Sequence, residues 1–189
     1  MFIATPTTHA TTTNSDEIED AWLQTICRGN RPTTTLHFYV HDVRTGPNAT
    51  LYTVANSSIT ANSPTGFGRV NVFDDRVTAA PDIKSREVAR AQGLTTSADL
   101  RVQAFNMNLN FFLTSGPFKG STISIVGRNQ FADAKRELSV VGGTGAFRSA
   151  RGHAITRTYS HDAAINYSVL EYTIYVTYSR RSGCFADSS

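Results

Sequence analysis

The sequence predicts an all-β protein, an eight-stranded antiparallel β-barrel behind a flexible N-terminal arm. Three observations carry this expectation. From Leu36 onward, apolar and polar residues alternate with period two. Turn-forming residues punctuate the alternation at short intervals, as in Thr45-Gly46-Pro47-Asn48 and Ser115-Gly116-Pro117. No long helical pattern intervenes to serve as a crossover, so successive strands must pair antiparallel. Such a sheet has to pack on a second sheet, as in an immunoglobulin-like sandwich, or close on itself. Closure removes exposed edges, and eight strands leave a lumen just wide enough for side chains or one small ligand.

Residues 1–35 are Thr-rich and poor in aromatics, and read as the mobile arm. Within it, Asn14 and Glu17 resemble a capping box. The acidic run Asp16, Glu17, Glu19, Asp20 precedes Trp22, Leu23 and Ile26, which predicts a short helix near 15–26. Nothing after Met1 has the charged, apolar and small-residue regions of a secretory signal, so none is expected in the sequence as given.

The barrel domain is expected over 36–184, with a tail at 185–189. Its first strand sets Leu36, Phe38 and Val40 against His37, Tyr39 and His41. A clear later one sets Phe105, Met107, Leu109, Phe111 and Leu113 against Asn106, Asn108 and Asn110. Further strands are expected over 51–60, 69–74, 121–127, 137–141, 152–159 and 167–178, giving eight.

Composition narrows the function. The 189 residues suit a single domain that buries roughly 70% of its unfolded surface. A charged fraction of 17% beside a hydrophobic fraction of 40% is neither a disordered polyelectrolyte nor a coiled coil. No apolar run reaches the roughly 18 residues of a membrane helix, so no membrane partner is expected. Two cysteines are too few for a four-thiolate zinc site, and neither a metal nor a cofactor is expected. The net charge of +3 comes from cations that mostly stand singly, which argues against nucleic acid.

The run Gly142-Gly143-Thr144-Gly145-Ala146-Phe147 invites a phosphate-loop reading, but Arg148 stands where a dinucleotide fingerprint needs its third glycine. Gly152 onward reads as a strand, so no helix N-terminus would face a phosphate. A tight glycine connection between strands is the better account. No Gly-x-Ser-x-Gly elbow or His-Glu-x-x-His pattern supports a hydrolase. His37 and His41 fall on the solvent-facing parity of their strand and read as surface or interface residues.

Three polar residues each extend an apolar strand face. Asp42 follows Leu36, Phe38 and Val40; Asn129 follows Ile123 and Ile125; Arg136 precedes Leu138 and Val140. Side chains two apart point the same way, so all three could project into one apolar lumen, where a hydrogen-bonded acid and cation would hold perturbed pKa values. The alternatives are that each ends its strand beyond the buried region, or that the charged ones form a structural ion pair. Cys27 and Cys184 flank the strand region and would be neighbours in a closed barrel, which makes a disulfide plausible. Sequons at Asn48, Asn56 and Asn166 offer glycosylation sites near turns or strand ends.

Several spaced motifs together resemble the plant dirigent proteins. They are Phe38-Tyr39-Val40-His41-Asp42, then Phe67-Gly68 with Val72-Phe73-Asp74-Asp75 and Thr78, then Ser85 with Arg90-Ala91-Gln92-Gly93. Gly120-Ser121-Thr122, Gly127-Arg128-Asn129, and Glu137 with Val140 through Arg148 and Ala150-Arg151-Gly152 follow in order. The resemblance implies a barrel of the dirigent and allene-oxide-cyclase type, a homotrimer, export to the apoplast, and a disulfide between Cys27 and Cys184.

The resemblance also implies a phenolic small-molecule substrate and no redox centre in the protein. Many family members orient phenoxy radicals made by a separate laccase or peroxidase, so that coupling yields one stereoisomer. Others close rings through quinone methides without redox change. On this reading radical coupling of monolignol-type phenols leads, with the cyclase next. A non-catalytic apoplastic wall or defence protein is the third possibility, for which Tyr172, Tyr178, Arg180 and Arg181 offer an outer surface.

Asp42 matches the family's first-strand aspartate and Arg136 its pocket arginine, so these are the expected catalytic pair, with Asn129 binding substrate. Lignan-forming relatives carry an aspartate where Asn129 stands. An amide cannot donate an acidic proton, so two-acid lignan formation is put in question. Asp133 is expected in a turn. Leu94, Thr95 and Thr96 also replace aromatics that lignan formers often place there.

Overall fold

The computed structural model describes residues 31–179. The expected helix at 15–26, Cys27, Cys184, Arg180, Arg181 and the tail lie outside the described residues. Nine strands follow one another: β1 (Thr33–Val43), β2 (Leu51–Ala55), β3 (Val70–Thr78), β4 (Glu87–Ser97), β5 (Phe105–Leu113), β6 (Thr122–Asn129), β7 (Arg136–Gly143), β8 (Arg151–Asp162) and β9 (Tyr167–Thr177). Neighbours pair antiparallel in the order β1-β9-β8-β7-β6-β5-β4-β3-β2. A further pairing of β1 with β3, Tyr39↔Thr78 through His41↔Arg76, closes eight of them into a barrel.

The ninth strand arises because one wall position is filled by two pieces of chain. After Val43 the chain loops out, and Thr50 returns with its N–H donating to the Val43 carbonyl at 2.8 Å. The Asp74 N–H then donates to the Thr50 carbonyl at 2.9 Å, and β2 continues along β3 from Leu51↔Phe73. β1 and β2 are thus one wall strand with residues 44–49 pinched out of it.

The expected count of eight barrel strands is met by a different set. The segment 51–60 contributes the short β2, which ends at Ala55, while β4 was missed. The reason is physical. The residues of β4 that face inward are Ala89, Ala91, Thr95 and Ser97, with Gly93 between them, so the strand shows no large apolar alternation. Smallness is needed there: a Cβ at Gly93 would stand 2.2 Å from the carbonyl oxygen of Asn108 on β5.

The lumen is solid at one end and hollow at the other. At the end where β9 finishes, Phe118, Phe147 and Tyr178 pack with ring centroids 4.9–5.7 Å apart. Phe147 is fully buried and arrives there on a 3₁₀ turn, Gly145–Phe147, which starts from Gly145 at φ 61°. The glycine run is therefore a strand-to-strand connection that aims an aromatic into the barrel. A second layer follows in Phe38, Phe111 and Tyr172. Tyr172, taken from the sequence as an outer-face residue, is buried because it shares inward parity with Ile174 and Val176.

Replacing Phe147 with Ala should remove the plug's central ring and destabilise the fold by about 3–5 kcal/mol, read as a lower urea midpoint.

Candidate active site

Above the Phe38, Phe111 and Tyr172 layer, a cavity of about 640 Å³ opens toward the end where β1 finishes and β9 begins. Val40, Phe73, Met107, Leu109 and Leu170 give it apolar walls, and Phe105 and Phe131 stack at 4.9 Å beside its mouth. Asp42, Asn129 and Arg136 all line it. The first strand's aspartate thus meets the two residues that flank the β6–β7 turn, far along the chain.

Asp42 is 5% exposed. Its Oδ2 accepts from Arg44 twice, from Nε at 2.8 Å and from Nη2 at 2.7 Å, while buried Oδ1 has no partner. Arg136, also 5% exposed, donates through Nη1 to the carbonyls of Phe131 at 3.2 Å and Asp133 at 3.1 Å, and to Thr158 Oγ1 at 3.1 Å. Its buried Nε is unpaired. Burial lowers the Arg136 pKa from the ordinary guanidinium value.

Asp42 and Arg136 are thus not bonded to each other; Asp42 takes its counter-charge from Arg44, two residues along its own strand. Asn129 contributes a third orphan, a buried Oδ1 with no donor. Two acceptors and one donor held without partners in an apolar space are costly unless a ligand satisfies them.

One acid escaped the sequence reading. Asp75 is 4% exposed and lines the same cavity. Its Oδ1 accepts from the Thr50 hydroxyl at 2.5 Å. Burial first, and then the charge of Asp42, push its pKa up to about 8, against the opposing pull of the Thr50 hydrogen bond. The signal was available: Asp75 shares parity with Phe73 and Val77, as Asp42 does with Phe38 and Val40. It was masked by the doublet with Asp74, which faces outward and bonds Arg90 at 2.9 Å.

His41 corrects the expectation of a surface or interface histidine. It is 1% exposed because it lies on the β1–β3 seam, where Nδ1 meets the Tyr167 hydroxyl at 2.5 Å and Nε2 meets Thr78 Oγ1 at 2.6 Å. Burial and the nearby Arg76 lower its pKa to about 4, so it is a neutral seam residue outside the cavity. His37 does lie on the outer face, where it meets Glu171 at 2.7 Å. Asp133 sits exposed in the β6–β7 turn and offers its carbonyl, not its carboxylate, to Arg136. Asn48 and Asn56 are exposed on loops. Asn166 is half-buried at φ 50° on the cavity rim, with Ser168 of its sequon buried against His161 at 3.0 Å.

A closed antiparallel barrel that is plugged at one end and hollow at the other, with unpaired polar atoms in an apolar chamber, defines a small-molecule-binding barrel. The chain belongs to the dirigent family: the profile described as Dirigent-like protein matches residues 33–177. It is 43% identical over 150 residues to Dirigent protein 21 of Arabidopsis thaliana, covering 78% of this chain and 79% of that one. It is 40% identical over 146 residues to Pterocarpan synthase 1 of Glycine max, covering 77% and 78%. A solved pterocarpan synthase dirigent protein superposes with a TM-score of 0.71 at 38% identity, covering 79% of this chain and 87% of its own.

A carboxyl whose pKa is raised on folding contributes stability that is fully present below its unfolded value near 3.9 and is lost as pH rises through about 8. Asp75→Asn should therefore be more stable than the parent, with a gap that widens from pH 4 to pH 8 and then levels, measured by urea unfolding across that range.

Proposed function

We propose that the protein is a dirigent-type cyclase that closes a ring in a hydroxylated plant phenol through a quinone methide, with no redox change. One observation carries this reading: Asp42, Asp75 and Arg136 line one apolar cavity, with polar atoms left unpaired for a ligand. Proton transfer to and from positioned carboxyls is what such a ring closure needs, and each positioned group contributes typically 10²–10⁴-fold. Asn129 can only hydrogen-bond, so proton transfer here falls to the carboxyls of Asp42 and Asp75. The likeness to relatives named pterocarpan synthase, at 40% and 41% identity, supports the cyclase over lignan coupling.

In this mechanism Arg136 holds the phenolic oxygen, offering Nε as a charge-assisted donor where negative charge builds. Asp42 exchanges the phenolic proton, and the Arg44 fork fixes its carboxylate in place. Phe111 and Tyr172, the cavity-facing rings of the aromatic layer, form the floor against which the substrate ring rests. Stereochemistry then follows from shape: about 1.4 kcal/mol between two poses gives a tenfold preference.

Radical coupling remains the second reading, favoured by the size of the chamber, which lies well inside the range of pockets that enclose drug-sized ligands. There the protein would orient two phenoxy radicals supplied by a separate laccase or peroxidase.

The two readings separate experimentally. Protein incubated with a 2′-hydroxylated isoflavanol and no oxidant should give one enantiomer of the ring-closed product by chiral chromatography. Asp42→Ala and Arg136→Ala should each cut its formation by at least about 100-fold. With coniferyl alcohol and laccase the dimers should be as racemic as with laccase alone; a single lignan enantiomer there, with no isoflavanol product, would overturn the cyclase in favour of coupling.

A further inference from the structure

We propose that Asp75 is the proton-donating acid of this site, working against Asp42 as its base and filling the role that Asn129 cannot. The proposal rests on the cyclase reading and adds a residue and a division of labour to it.

The barrel seam brings the two carboxyls together. β1 and β3 pair through Tyr39↔Thr78, Val40↔Val77 and His41↔Arg76, and the next step of the same register sets Asp42 toward Asp75. Both are buried and both line the cavity. Their partners differ. Asp42 has a guanidinium fork from Arg44. Asp75 has a single hydroxyl, from Thr50, and among the described residues no cation pairs with it and no donor reaches its Oδ2.

Two carboxyls that share a buried space cannot both stay ionised cheaply, and the one without a counter-charge keeps the proton. The other charged groups around Asp75 do not change this. Arg90 and Asp74 lie on the outer face of the wall and bond each other. Arg69 lines the cavity six residues before Asp75 on the same wall, and on other strands Arg136 is committed to Thr158 and two carbonyls and His161 to Ser168. The upward shift of Asp75 to about 8 agrees with the geometry.

The proton inventory closes. As the benzylic C–O bond of the substrate breaks, Asp75 gives its proton to the leaving hydroxyl, which departs as water, and Asp42 takes the phenolic proton. The quinone methide that results is neutral. When the second hydroxyl attacks and the new C–O bond forms, its proton goes to Asp75 and Asp42 returns its own to the ring oxygen. Both carboxyls end as they began, and no electrons enter or leave.

The test is a carboxyl NMR titration of protein labelled with ¹³C at aspartate, run beside rate measurements on the isoflavanol. One resonance should titrate near pH 8, vanish in Asp75→Asn, persist in the outer-face control Asp74→Asn, and move to lower pH in Asp42→Asn. Product formation should fall with the same midpoint, and Asp75→Asn should lose about 10²–10⁴-fold where Asp74→Asn loses almost nothing. An Asp75 resonance titrating in the ordinary carboxylate range overturns the proposal, as does wild-type product formation in Asp75→Asn. The titration needs no turnover. If no isoflavanol reacts, a hydroxylated isoflavone in the cavity should still raise the Asp75 midpoint, and an unmoved midpoint overturns the contact with ligand.

Discussion

Three backbone pairs between β1 and β3 hold the barrel shut, and most of what the interior does depends on them. They turn a twisted antiparallel sheet into a cylinder with no free edge along that wall. They also set the first strand's aspartate beside the third strand's at a depth where water is scarce. The same seam buries His41 between Tyr167 and Thr78, which gives it a fully bonded neutral imidazole in place of a charge. Without closure Asp42 and Asp75 would be ordinary carboxylates in solvent.

The interior divides its energetics by height. At the plugged end, Phe118, Phe147 and Tyr178 fill space and stabilise by burial. At the hollow end the walls hold a carboxylate bound to Arg44, a second carboxyl bound only to a hydroxyl, an amide oxygen with no donor, and an arginine with a vacant Nε. Each of these costs folding free energy, and the plug and the closed hydrogen-bond ladder offset them. A site that is expensive in the empty protein is one that gains when a ligand satisfies its polar atoms.

Much of this was legible in the chain. Alternation from Leu36 onward gave the class and the inward face, because period two is a direct consequence of strand geometry. Asp42, Asn129 and Arg136 were found by parity alone, since each prolongs a row of large apolar residues. Parity failed where interior residues are small or where the polar neighbour is doubled. β4 packs alanine, glycine, threonine and serine against β5, so its inner row carries no hydrophobic signal. Asp75 sits beside an outward twin of the same type, and nothing local says which of the two faces in. His41 was misjudged because the third strand and Tyr167 cover it from outside, a long-range fact that no spacing within β1 reveals. The partner of Asp42 was equally hidden: i, i+2 neighbours share a face, but only the pinched loop after Val43 turns Arg44 back to the cavity.

That pinched loop has an evolutionary reading. Because Thr50 bonds back to Val43 and the ladder resumes at once, residues 45–49 contribute little to the cylinder's own continuity. Their length and composition are free to drift, or to be exchanged by an engineer, while the scaffold stays intact. Yet the loop begins at Arg44 and ends at Thr50, the two side chains that hold the paired carboxyls. A change in this exposed excursion is thus a way to shift Arg44 and Thr50, and with them the two carboxyls, from outside the chamber.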